Sequence, residues 1–289
     1  MIPASFDYVR AGSVEDAVAV LTERGDEAKV LAGGHSLLPL MRLRLATPGV
    51  LVDLGRIDSL RGVREEGDEL VIGAMTTHHQ LMTNDLVRQH CGLLVEVTAQ
   101  VGDPQVRHLG TLGGAVAHSD AAGDQPAAVL ALDATIVAQG PGGPGGRREI
   151  PAGDFFTGVF DNALAPDEVL VEIRVPKLDS SWGFAYEKFH RVSQAWAIVG
   201  ACALVRRDNG TIGEARVGLV HMGPAPMRAA ATEAAAAGVA AEPDAIAAAA
   251  DQAAEGTQPP ADSNGQPDYR RHLAKVLTRR ALQRAARVQ

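Results

Sequence analysis

Two glycine pairs, each closing an apolar run, constrain this chain more than any other feature. The first lies in Leu31-Ala32-Gly33-Gly34-His35-Ser36-Leu37 and the second in Thr111-Leu112-Gly113-Gly114-Ala115. Without a Cβ, glycine reaches positive φ and lets a ligand approach the main chain to van der Waals distance. Successive amide N–H groups in such turns form an anion-binding concavity. Residues 29–32 read as a short buried strand entering the first turn. Residues 36–45 read as a helix with Leu37, Leu40, Met41 and Leu45 inward, and 50–54 as a second strand. The first turn then sits at a helix N-terminus, a favourable seat for phosphate. Two such turns on neighbouring segments suit the two phosphates of a dinucleotide.

Composition narrows the classes that remain. With 289 residues, 46% hydrophobic and 21% charged, the chain is long enough for two domains and too apolar for disorder. A net charge of −8 argues against a nucleic-acid partner, which requires a basic stripe. The basic stretch from Arg270 to Arg287 reads as one charged helix face. The absence of a long apolar run predicts no membrane span. The opening residues lack the basic and apolar regions of a secretory signal, so a cytoplasmic location is expected. Cys91 and Cys202 read as buried, reduced and structural, and two thiols cannot ligate an iron–sulfur cluster. His78-His79 has the look of a metal pair, but adjacent helical residues face different ways, and a solvated helix start is the reading adopted. No nucleophile–base pair or carboxylate dyad stands out. Ser36 lacks the second glycine of a hydrolase elbow. Such a chain leaves its chemistry to a cofactor.

Ser13-Val14-Glu15-Asp16 has the form of a capping box, and Gly25 ends the helix it starts. Glu66-Gly67-Asp68 predicts a hairpin over 60–73. Helices follow from Thr76, over 93–101 and over about 124–132, with a strand at 135–138. Prolines make the glycine run of 140–146 a surface loop. Residues 169–176 alternate at period two, and Pro176 ends the first domain. Beyond 177–181, strands are expected over 183–189, 197–205 and 211–219, the last two joined at Asn209-Gly210. Helices are expected from Met227, Asp244 and Tyr269. The expected fold is α+β. A two-part α/β domain spans 1–177, divided near 56/57, and a three-stranded antiparallel sheet with a helical bundle spans 178–289.

The glycine turns, their spacing and this order resemble the FAD-binding medium subunit of molybdenum hydroxylases, the family of aerobic carbon monoxide dehydrogenase and xanthine dehydrogenase. Further matches are Met1-Ile2-Pro3-Ala4-Ser5-Phe6-Asp7-Tyr8, Leu43-Arg44-Leu45-Ala46, Ile72-Gly73-Ala74-Met75-Thr76-Thr77-His78, Gly102-Asp103-Pro104-Gln105-Val106-Arg107 and Ala185-Tyr186-Glu187-Lys188. The resemblance covers nearly the whole chain. It implies an FAD domain of the PCMH/VAO type, with the diphosphate held by Ala32, Gly33, Gly34, His35, Ser36 and Leu37 and by Thr111, Leu112, Gly113, Gly114 and Ala115. Thr111 would donate its hydroxyl to phosphate and Asp120 would fix the loop that follows. Asp124 would meet ribityl or ribose hydroxyls, and Leu164 is a further family contact. Lys188 would sit near the flavin, and Trp196 would either stack near the isoalloxazine or fill the core. Two departures stand out. Many relatives carry Asn where this chain has Ala115, and Asp where Ala195 precedes Trp196.

By the same resemblance FAD is the cofactor of this chain, with no catalytic or metal-binding residue of its own. Molybdopterin belongs to a large partner subunit and two [2Fe-2S] clusters to a small one. The expected assembly is a dimer of heterotrimers passing electrons to quinone, nicotinamide or another acceptor. The alternatives are a free-standing flavin dehydrogenase or oxidase, which would need a general base in this chain, and a scaffold without flavin.

Overall fold

The computed structural model describes residues 2–288. Its first unit is a parallel sheet of three strands, Asp7–Arg10, Val50–Asp53 and Ala28–Leu31, with Val50–Asp53 in the centre. The helix Val14–Arg24 covers it, burying Val14, Ala17, Val18 and Leu21. Ser13 caps that helix by accepting from the Asp16 amide at 3.1 Å, while Asp16 Oδ2 accepts from the amide of Gly12 rather than Ser13.

The second unit is an antiparallel sheet of five strands. Their order is Val63–Glu66, Glu69–Gly73, Val169–Pro176, Thr135–Gln139 and Arg147–Pro151. Val169–Pro176 is buried on both faces, not alternating as its sequence suggested. Leu170, Ile173 and Val175 enter the core shared with the helices, whereas Val169 and Val171 pack against the first unit. A register shift between Leu170 and Glu172 accompanies this change of side. Six helices cover the sheet's other face and its ends: His78–Thr83, Asp85–His90, Gly92–Ala99, Pro104–Leu109, Leu112–His118 and Asp124–Ala131.

The third unit holds Trp182–Phe189, Val199–Asp208 and Thr211–Val220 in an antiparallel meander. A fourth short strand, Met227–Arg228, joins it where a helix start was expected, so the sheet has four strands. The helices Ala230–Ala236, Pro243–Ala250 and Pro267–Ala285 back one face, as expected of a helical layer. The opposite face, with Tyr186, Cys202, Leu204 and Val220, closes onto the second unit's core. Backbone approach is tight there: a Cβ on Gly218 would lie 2.3 Å from Ala127 O. Both cysteines are free and buried. No helix among the described residues is long and apolar enough to cross a membrane.

Candidate functional site: two apposed glycine turns

The strand Ala28–Leu31 runs into the first turn, and Gly34 takes φ +76° there, a conformation that side chains rarely adopt. Leu38 N closes the turn by donating to Gly34 O at 3.0 Å. The amides of Gly33, Gly34, His35 and Ser36 donate to no acceptor among the described residues. Such a row of free N–H groups is the donor set an anion requires. The helix that follows is shorter than expected. It spans only Leu37–Arg42, Arg44 turns the chain back at φ +58°, and Met41 is its one fully buried residue. Leu45, expected inward, is 73% exposed, because the chain has already reversed before it. The amide row, and not a long helix, is therefore what an anion would meet.

The second turn is built differently from the expected concavity. Thr111 caps the helix Leu112–His118, its Oγ1 accepting from Gly114 N at 3.1 Å, and its hydroxyl hydrogen stays available. The amides of Leu112, Gly113 and Ala115 donate to Thr76 O, Ala74 O and Thr111 O. Gly113 leaves out its Cβ for packing, since that atom would lie 2.5 Å from the Ala74 Cβ.

The two turns touch. A Cβ on Gly33 would stand 2.2 Å from Leu109 O and 2.8 Å from the Gly110 Cα, and one on Gly114 would stand 3.4 Å from the Ala32 Cβ. Leu109 and Gly110 were absent from the predicted contact set. The signal was a third glycine immediately before Thr111.

The remaining predicted residues fall into two groups. Asp120 Oδ1 accepts from Ala122 N at 2.9 Å, bracing its own loop as expected. That loop opens onto an interdomain cleft with two adjoining cavities of about 290 and 400 Å³, which share Asp120 and His221. Trp196, 59% exposed, lines the smaller one, so it is not core. Leu164 is half-buried against the second unit's core, its amide donating to Asn162 Oδ1 at 3.0 Å.

Asp124 and Lys188 hold each other. Lys188 Nζ stands 2.7 Å from Asp124 Oδ2 and also donates to Gln100 O, while Tyr186 OH donates to Asp124 Oδ1. Asp124 starts the helix Asp124–Ala131 and Lys188 lies in the strand Trp182–Phe189, so this buried pair joins the second and third units. Burial pushes the Asp124 carboxyl up, against the opposing pull of Lys188 and Tyr186. Asp124 thus makes an interdomain contact, with one protein donor on each oxygen.

His78 and His79 part company as well. His79 is exposed and stacks on His108 at a centroid distance of 4.2 Å. His78 is buried, which corrects the expected solvated helix start: the Thr77–Gln80 capping box begins the helix with His78 turned inward.

Two family models divide the chain. "FAD binding domain in molybdopterin dehydrogenase" matches residues 4–178, and "CO dehydrogenase flavoprotein C-terminal domain" matches residues 184–285. The chain belongs to the FAD-binding medium-subunit family of the molybdenum hydroxylases. It is 42% identical to the carbon monoxide dehydrogenase medium chain of Hydrogenophaga pseudoflava over 285 residues, 99% of this chain and 98% of that one. It is 37% identical to the 6-hydroxypseudooxynicotine dehydrogenase complex subunit alpha of Paenarthrobacter nicotinovorans over 286 residues, covering 99% and 96%. A solved structure of the H. pseudoflava carbon monoxide dehydrogenase superposes with a TM-score of 0.96 at 44% identity, with 100% of both chains covered. FAD is the family's cofactor in this subunit, and molybdopterin and iron–sulfur clusters belong to other subunits. The members are oxidoreductase subunits. The open amides and the Cβ-free contact at Gly33 fit a diphosphate.

Proposed function

We propose that this chain is the FAD-carrying electron-transfer subunit of a heteromeric molybdenum hydroxylase of the aerobic carbon monoxide dehydrogenase type. It would take electrons from iron–sulfur clusters of a small partner subunit and pass them to an external acceptor, such as a quinone or nicotinamide. Bound FAD supplies the redox chemistry, and this chain's residues hold and enclose it. The observation that carries the reading is the run of free amides from Gly33 to Ser36, apposed to the Thr111 turn. In this reading Ala32–Leu37 and Thr111–Ala115 surround the diphosphate, with the Thr111 hydroxyl as a donor. Asp120, Leu164 and Trp196 border the cofactor's path into the interdomain cleft. Asp124 and Lys188 support it from behind by locking the two domains together.

Apolar side chains around the first turn favour a partner-bound subunit over a free-standing enzyme. Leu38, Leu43, Leu45 and Leu109 are all exposed, with Leu38 beside Gly34 and Leu109 against Gly33. Surface apolar clusters of this kind mark protein contacts. We place the assembly, a dimer of heterotrimers, in the cytoplasm.

Co-expression with a large molybdopterin subunit and a small iron–sulfur subunit tests the proposal. The complex is expected to show a flavin absorbance band that bleaches when substrate is given to the large subunit. Oxidation of an organic substrate by this chain alone, or a complex whose flavin band never bleaches, contradicts it.

A further inference from the structure

Beneath the two turns lies a side chain to which the FAD reading gives no task. His78 begins the helix His78–Thr83 and is only 4% exposed. Its amide donates to Gly110 O at 2.9 Å, part of a strip in which Thr77 pairs with Thr111 and Leu112 N donates to Thr76 O. On one ring edge, Gln125 Nε2 stands 2.9 Å from Nδ1 and also donates to Thr98 Oγ1 at 3.2 Å. An amide nitrogen only donates, so Nδ1 accepts and the ring proton resides on Nε2.

The other ring edge meets main chain. A Cβ on Gly110 would lie 2.8 Å from both Cδ2 and Nε2 of His78. Gly33, the first residue of the free-amide run, also packs on this stretch: a Cβ there would lie 2.2 Å from Leu109 O and 2.8 Å from the Gly110 Cα. Gly110 thus stands in Cβ-free contact with both the imidazole and Gly33. Gly110 leads directly into Thr111, which caps the second turn. The thickness of the ring therefore determines where Gly110 stands, and Gly110 determines how near the two turns come.

We propose that His78 is a positioning residue for the diphosphate site: its ring, anchored by Gln125, sets through Gly110 the spacing of the two turns that grip FAD. This rests on the assignment of those turns to the diphosphate. Burial, together with the electrostatic influence of His35 and Arg107, pushes the imidazole down to about 4, so the ring stays in the neutral form that can accept from Gln125.

The test is a double-mutant cycle on the full chain, reading FAD affinity by flavin-fluorescence quenching and apo-protein stability by thermal unfolding. His78→Ala withdraws the ring, and Gly110→Ala drives a methyl into it. Each is expected to weaken FAD binding about tenfold or more, the order of loss when a supporting group behind a binding site is removed. In the double variant the new methyl occupies the vacated space, so most of the affinity returns. The Gly110 φ of −59° accepts alanine without strain. If His78→Ala proves too unstable to purify, His78→Val runs the same cycle with a smaller void. Losses that simply multiply in the double variant, or singles that bind FAD normally, overturn the proposal. Gly34→Val separates the two levels. If the wild type binds FAD and Gly34→Val does not, while His78 variants bind normally, only the role of His78 fails. If Gly34→Val binds as well as the wild type, the placement of the diphosphate fails with it.

Discussion

The four glycines of the two turns do four different jobs. Gly34 supplies a positive φ, Gly33 admits the backbone of Leu109 and Gly110, Gly113 admits Ala74, and Gly114 leaves room for Thr111 Oγ1. The sequence made all four visible but assigned them one purpose, because a gap the size of a Cβ is a tertiary property. The distinction predicts different phenotypes. Gly113→Ala overpacks the core and should lower unfolding free energy by about 1–3 kcal/mol, measured by denaturant titration. Gly33→Ala should chiefly reduce FAD affinity, because it wedges the turns apart at the surface. His78 adds a pH dependence. Its folded form is held near 4, whereas an unfolded histidine titrates near 6.5, so the unfolded chain binds the extra proton between those values. The folded state is then at full strength above about pH 6.5 and loses on the order of 3 kcal/mol as pH falls through about 4. His78→Gln should flatten that acid limb, as followed by unfolding at a series of pH values.

Elements were legible where local chemistry decides them. Asn209 at φ +47° and Gly210 at φ +88° make the hairpin turn that the Asn-Gly pair predicted, and Ser13 caps its helix. Elements decided by what packs against them were not. Val169–Pro176 is covered on both faces because the first unit lies behind its sheet, and nothing within the segment announces that neighbour. The exposed leucines after the first turn misled the helix assignment for the opposite reason: their apolar character answers to no surface of this chain. A prediction belongs at this scale too. Gly183 in the strand Trp182–Phe189 lies so close to the last helix that a Cβ would be 1.9 Å from Ala285 O. Gly183→Ala should destabilise the third unit by about 1–3 kcal/mol. Arg284→Ala, which removes an exposed bridge to Glu96 and Glu187, should change stability by less than about 1 kcal/mol. Cys91 and Cys202, whose thiols burial pushes up to about 12, should resist thiol reagents until the chain unfolds.

At the scale of the molecule, one buried ion pair ties the third unit to the second. Lys188→Met would leave Asp124 buried without its cation and should cost about 3–5 kcal/mol, whereas Lys188→Met with Asp124→Leu should recover much of that loss. Equal losses in the single and double variants would show that the charge pair is not what joins the domains. Two cysteines ruled out an iron–sulfur cluster in this chain, and the resemblance supplied the partner chains that carry it, but the contact between turns separated by some eighty residues required the fold, since each contributes from a different unit. That apposition is the centre of the account. A density map of the FAD-loaded chain in its complex tests it most directly, by the distance from the diphosphate oxygens to the amides of Gly33, Gly34, His35 and Ser36. The account predicts hydrogen-bond contact at about 3 Å to several of these amides, with the Thr111 hydroxyl on the opposite side. A diphosphate lying elsewhere, with those amides facing solvent, contradicts it.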